Sequence, residues 1–147
     1  MPRLDHSIDI KVPADQVFAY VADVEAHPEW VKWTKAAEVT SPDRKGVGST
    51  AAGVMQVGPK KEKIETLTTE YKDGEFLTRR TTRGMQMTDR LSVLPFGDGT
   101  KVAWSIDYTP PMGSMGKLMD MLFMERLFDQ LMKDSLTNLK HRLESAR

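Results

Sequence analysis

The chain has 147 residues, with 21 Lys plus Arg against 21 Asp plus Glu and a formal net charge of zero. That length suits one domain able to bury its own core, and the balanced charge argues against general nucleic-acid affinity, which needs a basic excess. Cysteine is absent, which excludes disulfides, thiolate catalysis and Cys-ligated zinc, while six of the ten methionines fall between Met112 and Met132.

The N-terminal segment alternates. Leu4, His6, Ile8, Ile10 and Val12 fall on one side, and Arg3, Asp5, Ser7, Asp9 and Lys11 on the other. Period two predicts a half-buried strand. The segment has no continuous apolar run, so it does not read as a signal peptide. No stretch of about 18 apolar residues occurs, so no transmembrane segment is expected, and the cytoplasm is the expected location. Pro13 ends the strand and suits the first turn of a helix bearing Val17, Phe18, Tyr20 and Val21. His27-Pro28 interrupts that helix before a second turn around Trp30.

Further strands are predicted at 36–41, 50–57, 62–71, 75–82, 85–96 and 100–109, joined by short connections. Asp73-Gly74, Arg83-Gly84 and Asp98-Gly99 read as two-residue hairpin turns. Pro110-Pro111 stops the last strand. From Met115 to Leu143 there is no proline, which predicts one helix of roughly 28 residues, or about 42 Å. Met121, Phe128, Met132, Leu139 and Leu143 share one stripe of it, with Met124, Leu131 and Leu136 on the flanks. Met115, Met119, Phe123 and Leu127 make its first half apolar on the far side too. The fold class is therefore α+β: one domain over 1–147, with a seven-stranded antiparallel sheet and a long C-terminal helix covering its apolar face.

The stretch Ile8–Phe18, then Asp23 and Pro28-Glu29-Trp30, resembles the opening signature of the START-like (Bet v 1-like, SRPBCC) superfamily. Val47-Gly48-Ser49, Thr66–Tyr71, Gly99-Thr100-Lys101-Val102 and the closing Ser135–Glu144 segment are similar to it as well. The likeness is greatest to the bacterial polyketide cyclase/dehydrase and lipid-transport branch. It implies a helix-grip fold, in which a curved sheet wraps around the C-terminal helix, with two short helices after the first strand. It also implies a cavity for an apolar or aromatic small molecule such as a lipid, quinone or polyketide. Only some members of the superfamily are enzymes, and they share no catalytic residues, so none is assigned. No cofactor is implied.

The turns set the registers, and the registers decide which side chains share a face. Two-residue loops place Val93 opposite Trp104, Leu91 opposite Ile106 and Asp89 opposite Tyr108. They also set Phe76 beside Leu91, Thr78 beside Asp89 and Arg80 beside Met87. The inner face is then apolar except for His6, Arg80, Asp89 and Tyr108. A buried charge costs several kcal/mol unless paired, so these groups either satisfy one another or orient the polar group of an otherwise apolar ligand. On the ligand reading, Met87, Trp104, Met121, Met124 and Phe128 line the apolar part of a cavity between sheet and C-terminal helix. His6, Arg80, Asp89 and Tyr108 mark its polar end.

Two alternatives stay open. In a cyclase, aromatase or dehydratase acting on a poly-β-ketone, Arg80 and Tyr108 polarise a carbonyl while Asp89 or His6 moves a proton. In an interaction module, Met115, Met119, Phe123 and Leu127 form a homodimer or peripheral membrane contact. Three scattered histidines lack ligand spacing, so no metal site is expected. Lys60, Lys61 and Lys63 read as a solvated hairpin tip.

Overall fold

The alternation at the N-terminus becomes β1 (Arg3–Ile10), whose burial alternates along most of its length. In this computed structural model residues 3–109 and 117–146 are described, with side chains in the last helix described from 121 onward. After β1 come α1 (Ala14–Val21), a short 3-10 turn (Val24–Ala26) and α2 (His27–Trp30). Six strands follow: β2 (Thr34–Val39), β3 (Thr50–Val57), β4 (Lys60–Lys72), β5 (Phe76–Arg83), β6 (Met87–Phe96) and β7 (Gly99–Tyr108). The chain closes with α3 (Lys117–Ser145). The strands form one antiparallel sheet in the order β1-β7-β6-β5-β4-β3-β2, so the first strand lies beside the last. This is the α+β helix-grip architecture expected from the sequence.

One face of the sheet and one stripe of α3 build the core. Phe128, Met132, Leu136 and Leu139 are buried on the helix against Leu4, Ile10, Val102 and Ile106 of the sheet cluster. Ser135 interrupts that stripe without leaving a polar group stranded. Its hydroxyl donates to the Leu131 carbonyl at 2.7 Å and accepts the Lys32 N–H at 2.9 Å. At the other end of α3, Lys140 Nζ donates to the Asp9 carbonyl at 2.6 Å, and Glu144 accepts the Lys11 N–H at 2.9 Å.

The registers depart from expectation at β6–β7 and β5–β6, and at β4–β5 only beside the turn. In β6–β7 the loop is Gly97-Asp98, and Phe96 pairs with Gly99. Gly97 supplies the positive φ of +61°, whereas Gly99 is needed for close approach, since a Cβ there would lie 2.2 Å from the Ile10 carbonyl oxygen. Leu91 thus faces Trp104, Val93 faces Val102, and Asp89 faces Ile106. The shift is two residues, so the inner face is unchanged. In β4–β5, Lys72 pairs with Phe76, leaving Asp73, Gly74 and Glu75 in the loop, and a bulge between Thr68 and Glu70 then restores the expected pairing of Leu67 with Arg80. Across the Arg83-Gly84 connection β5 sits one residue away from the expected register against β6, with Leu77 opposite Leu91 and Arg79 opposite Asp89. A slip of one turns every side chain over. Leu77 and Arg79 face inward; Phe76 and Arg80 face outward, and Phe76 lies 4.0 Å beneath the Arg90 guanidinium.

Candidate ligand site

A cavity of about 70 Å³ lies between the inner sheet face and the corner formed by α2 and the residues after it. That is well above the roughly 10–15 Å³ one water needs. The corner is built locally. Asp23 accepts the Glu25 N–H at 3.2 Å and starts the 3-10 turn, and Pro28 sits in the first turn of α2, where it needs no donor. His27, Trp30 and Trp33, spaced by three, are all carried inward and buried. Trp33 stacks on Trp104 at 5.3 Å and 28°, and Trp30 leans on the same ring at 5.4 Å. Opposite the rings, Ala37, Ala51 and Gly53 line β2 and β3 and leave the space open.

At one end of the cavity sits a buried polar cluster. Arg79 and Asp89 have side chains only 13% exposed, and Arg79 Nη2 donates to Asp89 Oδ2 at 3.3 Å. Trp104 Nε1–H donates to the same oxygen at 3.0 Å. His27 Nε2 lies 2.8 Å from the Val21 carbonyl, which assigns the proton to that nitrogen. Nδ1 is then a lone-pair acceptor for Arg79 Nη1 at 3.2 Å. Burial pushes the His27 pKa down to about 3, and the Arg79 charge acts in the same direction. Two donors remain unused: Arg79 Nε–H and Trp30 Nε1–H are buried without a partner among the described residues. Both residues line the cavity.

Of the expected site residues, Met87, Asp89 and Trp104 border this cavity. Arg80 borders the cavity too, but it is exposed, and Arg79 takes the inward position because β5 pairs with β6 one residue away from the expected register. His6 faces inward on β1 yet is engaged elsewhere, with Nε2 2.6 Å from Asp129 Oδ1, while Lys133 reaches the other carboxylate oxygen at 3.2 Å. The pair joins β1 to α3 away from the cavity. Tyr108 is fully buried with its ring 5.0 Å from Phe128, and its hydroxyl lacks a partner among the described residues. Burial raises its pKa, and Glu125 adds to the shift.

Phe128, Met124 and Met121 do not border the cavity, so its expected position between sheet and C-terminal helix is also corrected. The Trp33 ring meets Phe128 edge-on at 5.0 Å and fills that space. Met124 is half-buried against the core, and Met121 is 38% exposed. Phe123 is 66% exposed and Leu127 half-buried. Met115 and the Met119 side chain lie outside the described residues. Sequence reasoning passed over His27, Trp30, Trp33 and Arg79 as site residues. The i, i+3, i+6 spacing of the first three was the available signal, since it places them on one side of a helical corner.

The sequence profile of the family described as polyketide cyclase / dehydrase and lipid transport matches residues 1–144. The chain belongs to that family. The same fold occurs in the protein TTHA0849 from Thermus thermophilus, at 22% identity and a TM-score of 0.84, with 99% of each chain covered. A START superfamily protein from Mycobacterium smegmatis matches at 14% identity and a TM-score of 0.81, again over 99% of each chain. Zhui aromatase/cyclase from Streptomyces matches at 13% identity and a TM-score of 0.82, covering 97% of this chain and 93% of that one. No curated protein sequence matches. Membership of the polyketide cyclase/dehydrase and lipid-transport family supports a role in binding or cyclising a hydrophobic ligand. Among the described residues, no helix is long and apolar enough to cross a membrane.

Proposed function

We propose that the chain binds a compact apolar or aromatic molecule in the cavity beneath Trp30, Trp33 and Trp104, with its polar group at the Arg79 end. The observation that carries this reading is the lining itself. Indole rings and small residues surround the space, and a buried ion pair closes one end. Mostly apolar walls with a few convergent polar groups are the usual make-up of a small-molecule site. The volume of about 70 Å³ is far too small for an extended lipid chain, and it is below the roughly 150 Å³ of a cavity that holds benzene, so even a single-ring ligand reaches out through the open side of the space.

The cluster's imidazole suits holding more than turnover, because the His27 lone pair is occupied by Arg79. A general base needs a free lone pair and a pKa near the working pH, and a His27 pKa of about 3 is far from it. Native mass spectrometry of protein purified without organic solvent tests the proposal. One small apolar molecule per chain, released on extraction, is expected. A bare chain whose melting temperature is unmoved by any member of an aromatic library would contradict it.

A second reading concerns α3. Met121, Leu122 and Phe123 are 38%, 44% and 66% exposed, which favours contact of this turn with a second copy of the chain. Sedimentation across a concentration series tests it: self-association is expected for the wild type and its loss in Phe123→Asp, whereas a monomer at every concentration contradicts it.

A further inference from the structure

Resting on the ligand reading above, we infer that the polar end of the cavity selects an uncharged carbonyl oxygen over a carboxylate, with the Trp30 indole N–H as a ligand-binding donor. The charges balance before any ligand arrives. Arg79 is matched by Asp89 at 3.3 Å, and His27 is a neutral imidazole between the Val21 carbonyl and Arg79. Arg80 borders the cavity as well, but it is exposed, and strand alternation places its side chain on the opposite face. A carboxylate entering here would bring an unmatched negative charge close to Asp89 in a water-poor site, which the buried pair cannot offset.

A neutral acceptor meets the opposite situation. Trp30 is 1% exposed and its Nε1–H has no partner among the described residues; Arg79 Nε–H is in the same state. A buried donor left unpaired carries a standing cost that an incoming oxygen relieves. Of the polar atoms bordering the cavity, the fully buried ones without a partner are therefore both donors. The Trp30 ring is fixed by His27 at 5.7 Å and Trp104 at 5.4 Å, so its N–H is held in place before binding. Trp104, by contrast, has already given its N–H to Asp89.

The test uses one single-ring frame with three head groups: acetophenone, benzoate and ethylbenzene. Each is titrated into ¹⁵N-labelled protein while the three indole N–H signals are followed, with Trp30 assigned by through-bond experiments and by Trp30→Phe. The ketone is expected to bind about tenfold tighter than either other compound, as one added hydrogen bond allows, and to move the Trp30 signal downfield. Trp30→Phe is expected to bring the ketone level with the ethyl compound. Equal or tighter binding of benzoate, or ketone binding that leaves the Trp30 signal in place, would overturn the inference; both readouts need only the wild-type chain. Failure of all three compounds to bind would overturn the cavity reading itself and the selectivity with it.

Discussion

Arg79 Nη2 lies 3.3 Å from Asp89 Oδ2, on adjacent strands, with both side chains only 13% exposed. Neither charge is comfortable alone at that depth. Removing one partner leaves the other buried and unmatched, which typically costs about 3–5 kcal/mol. Asp89→Ala and Arg79→Met are each expected to lose about 3 kcal/mol in urea denaturation. The double variant Arg79→Met/Asp89→Leu is expected to be more stable than either. Additive losses in the double variant would show that the pair is not coupled.

His27 gives the fold an acid limit. Its pKa is lowered from 6.5 to about 3, chiefly by burial. Between those values the unfolded chain binds a proton and the folded chain does not, so stability rises with pH across that window and is lost as pH falls. The contribution is complete above pH 6.5 and falls by up to about 1.4 kcal/mol per pH unit below it. Chemical denaturation from pH 7 to pH 4 should show this slope in the wild type and a shallower one in His27→Gln. Identical slopes in the two proteins would remove His27 as the cause.

Phe128 blocks the space under α3. Its ring meets both Trp33 and Tyr108 at 5.0 Å, and it is fully buried. Phe128→Ala should cost about 3–5 kcal/mol through lost contacts and a residual cavity. It should also extend the natural cavity towards the helix, so that ligands too long for the wild type raise the melting temperature of the variant. A loss of stability with no change in ligand size tolerance would show that Trp33 keeps the new space separate from the cavity.

Gly53 lets β2 and β3 approach beneath the tryptophans. A Cβ there would stand 2.2 Å from the Ala36 carbonyl oxygen, a backbone atom that cannot swing aside. Gly53→Ala is expected to cost about 2 kcal/mol or more by overpacking, measured by thermal or urea unfolding. A neutral result would mean that the edge strand β2 moves freely.

The fold was legible because its signals are long. The alternation from Leu4 to Val12 and the proline-free helix each persist over several periods, so end errors of a residue or two do no harm. The site was less legible because it depends on parity. At Gly97-Asp98 the expected turn was displaced by one residue, but the pairing moved by two, so Asp89, Leu91 and Trp104 kept their face. Across Arg83-Gly84 the pairing moved by one, setting Arg79 and not Thr78 opposite Asp89, and Arg79 took the inward place expected for Arg80. Phe76 encouraged that error: an aromatic at a strand start suggests the core, yet its ring lies on the outer face under Arg90. The cavity itself moved because Trp33, set by the α2 corner, reaches the Phe128 ring and occupies the space expected for a ligand. No pattern along the strands reports that contact.

The central claim is that ligand enters the space beneath Trp30, Trp33 and Trp104, not the apolar face of α3. Titration of acetophenone into three proteins, followed by tryptophan fluorescence, tests it most directly: wild type, Ala51→Phe, which fills the cavity from β3, and Phe123→Asp, which alters only the exposed helix face. Saturable binding is expected in the wild type and in Phe123→Asp, with at least a roughly tenfold loss in a folded Ala51→Phe, the scale of about 1.4 kcal/mol. Unchanged binding in Ala51→Phe together with loss in Phe123→Asp would contradict the account.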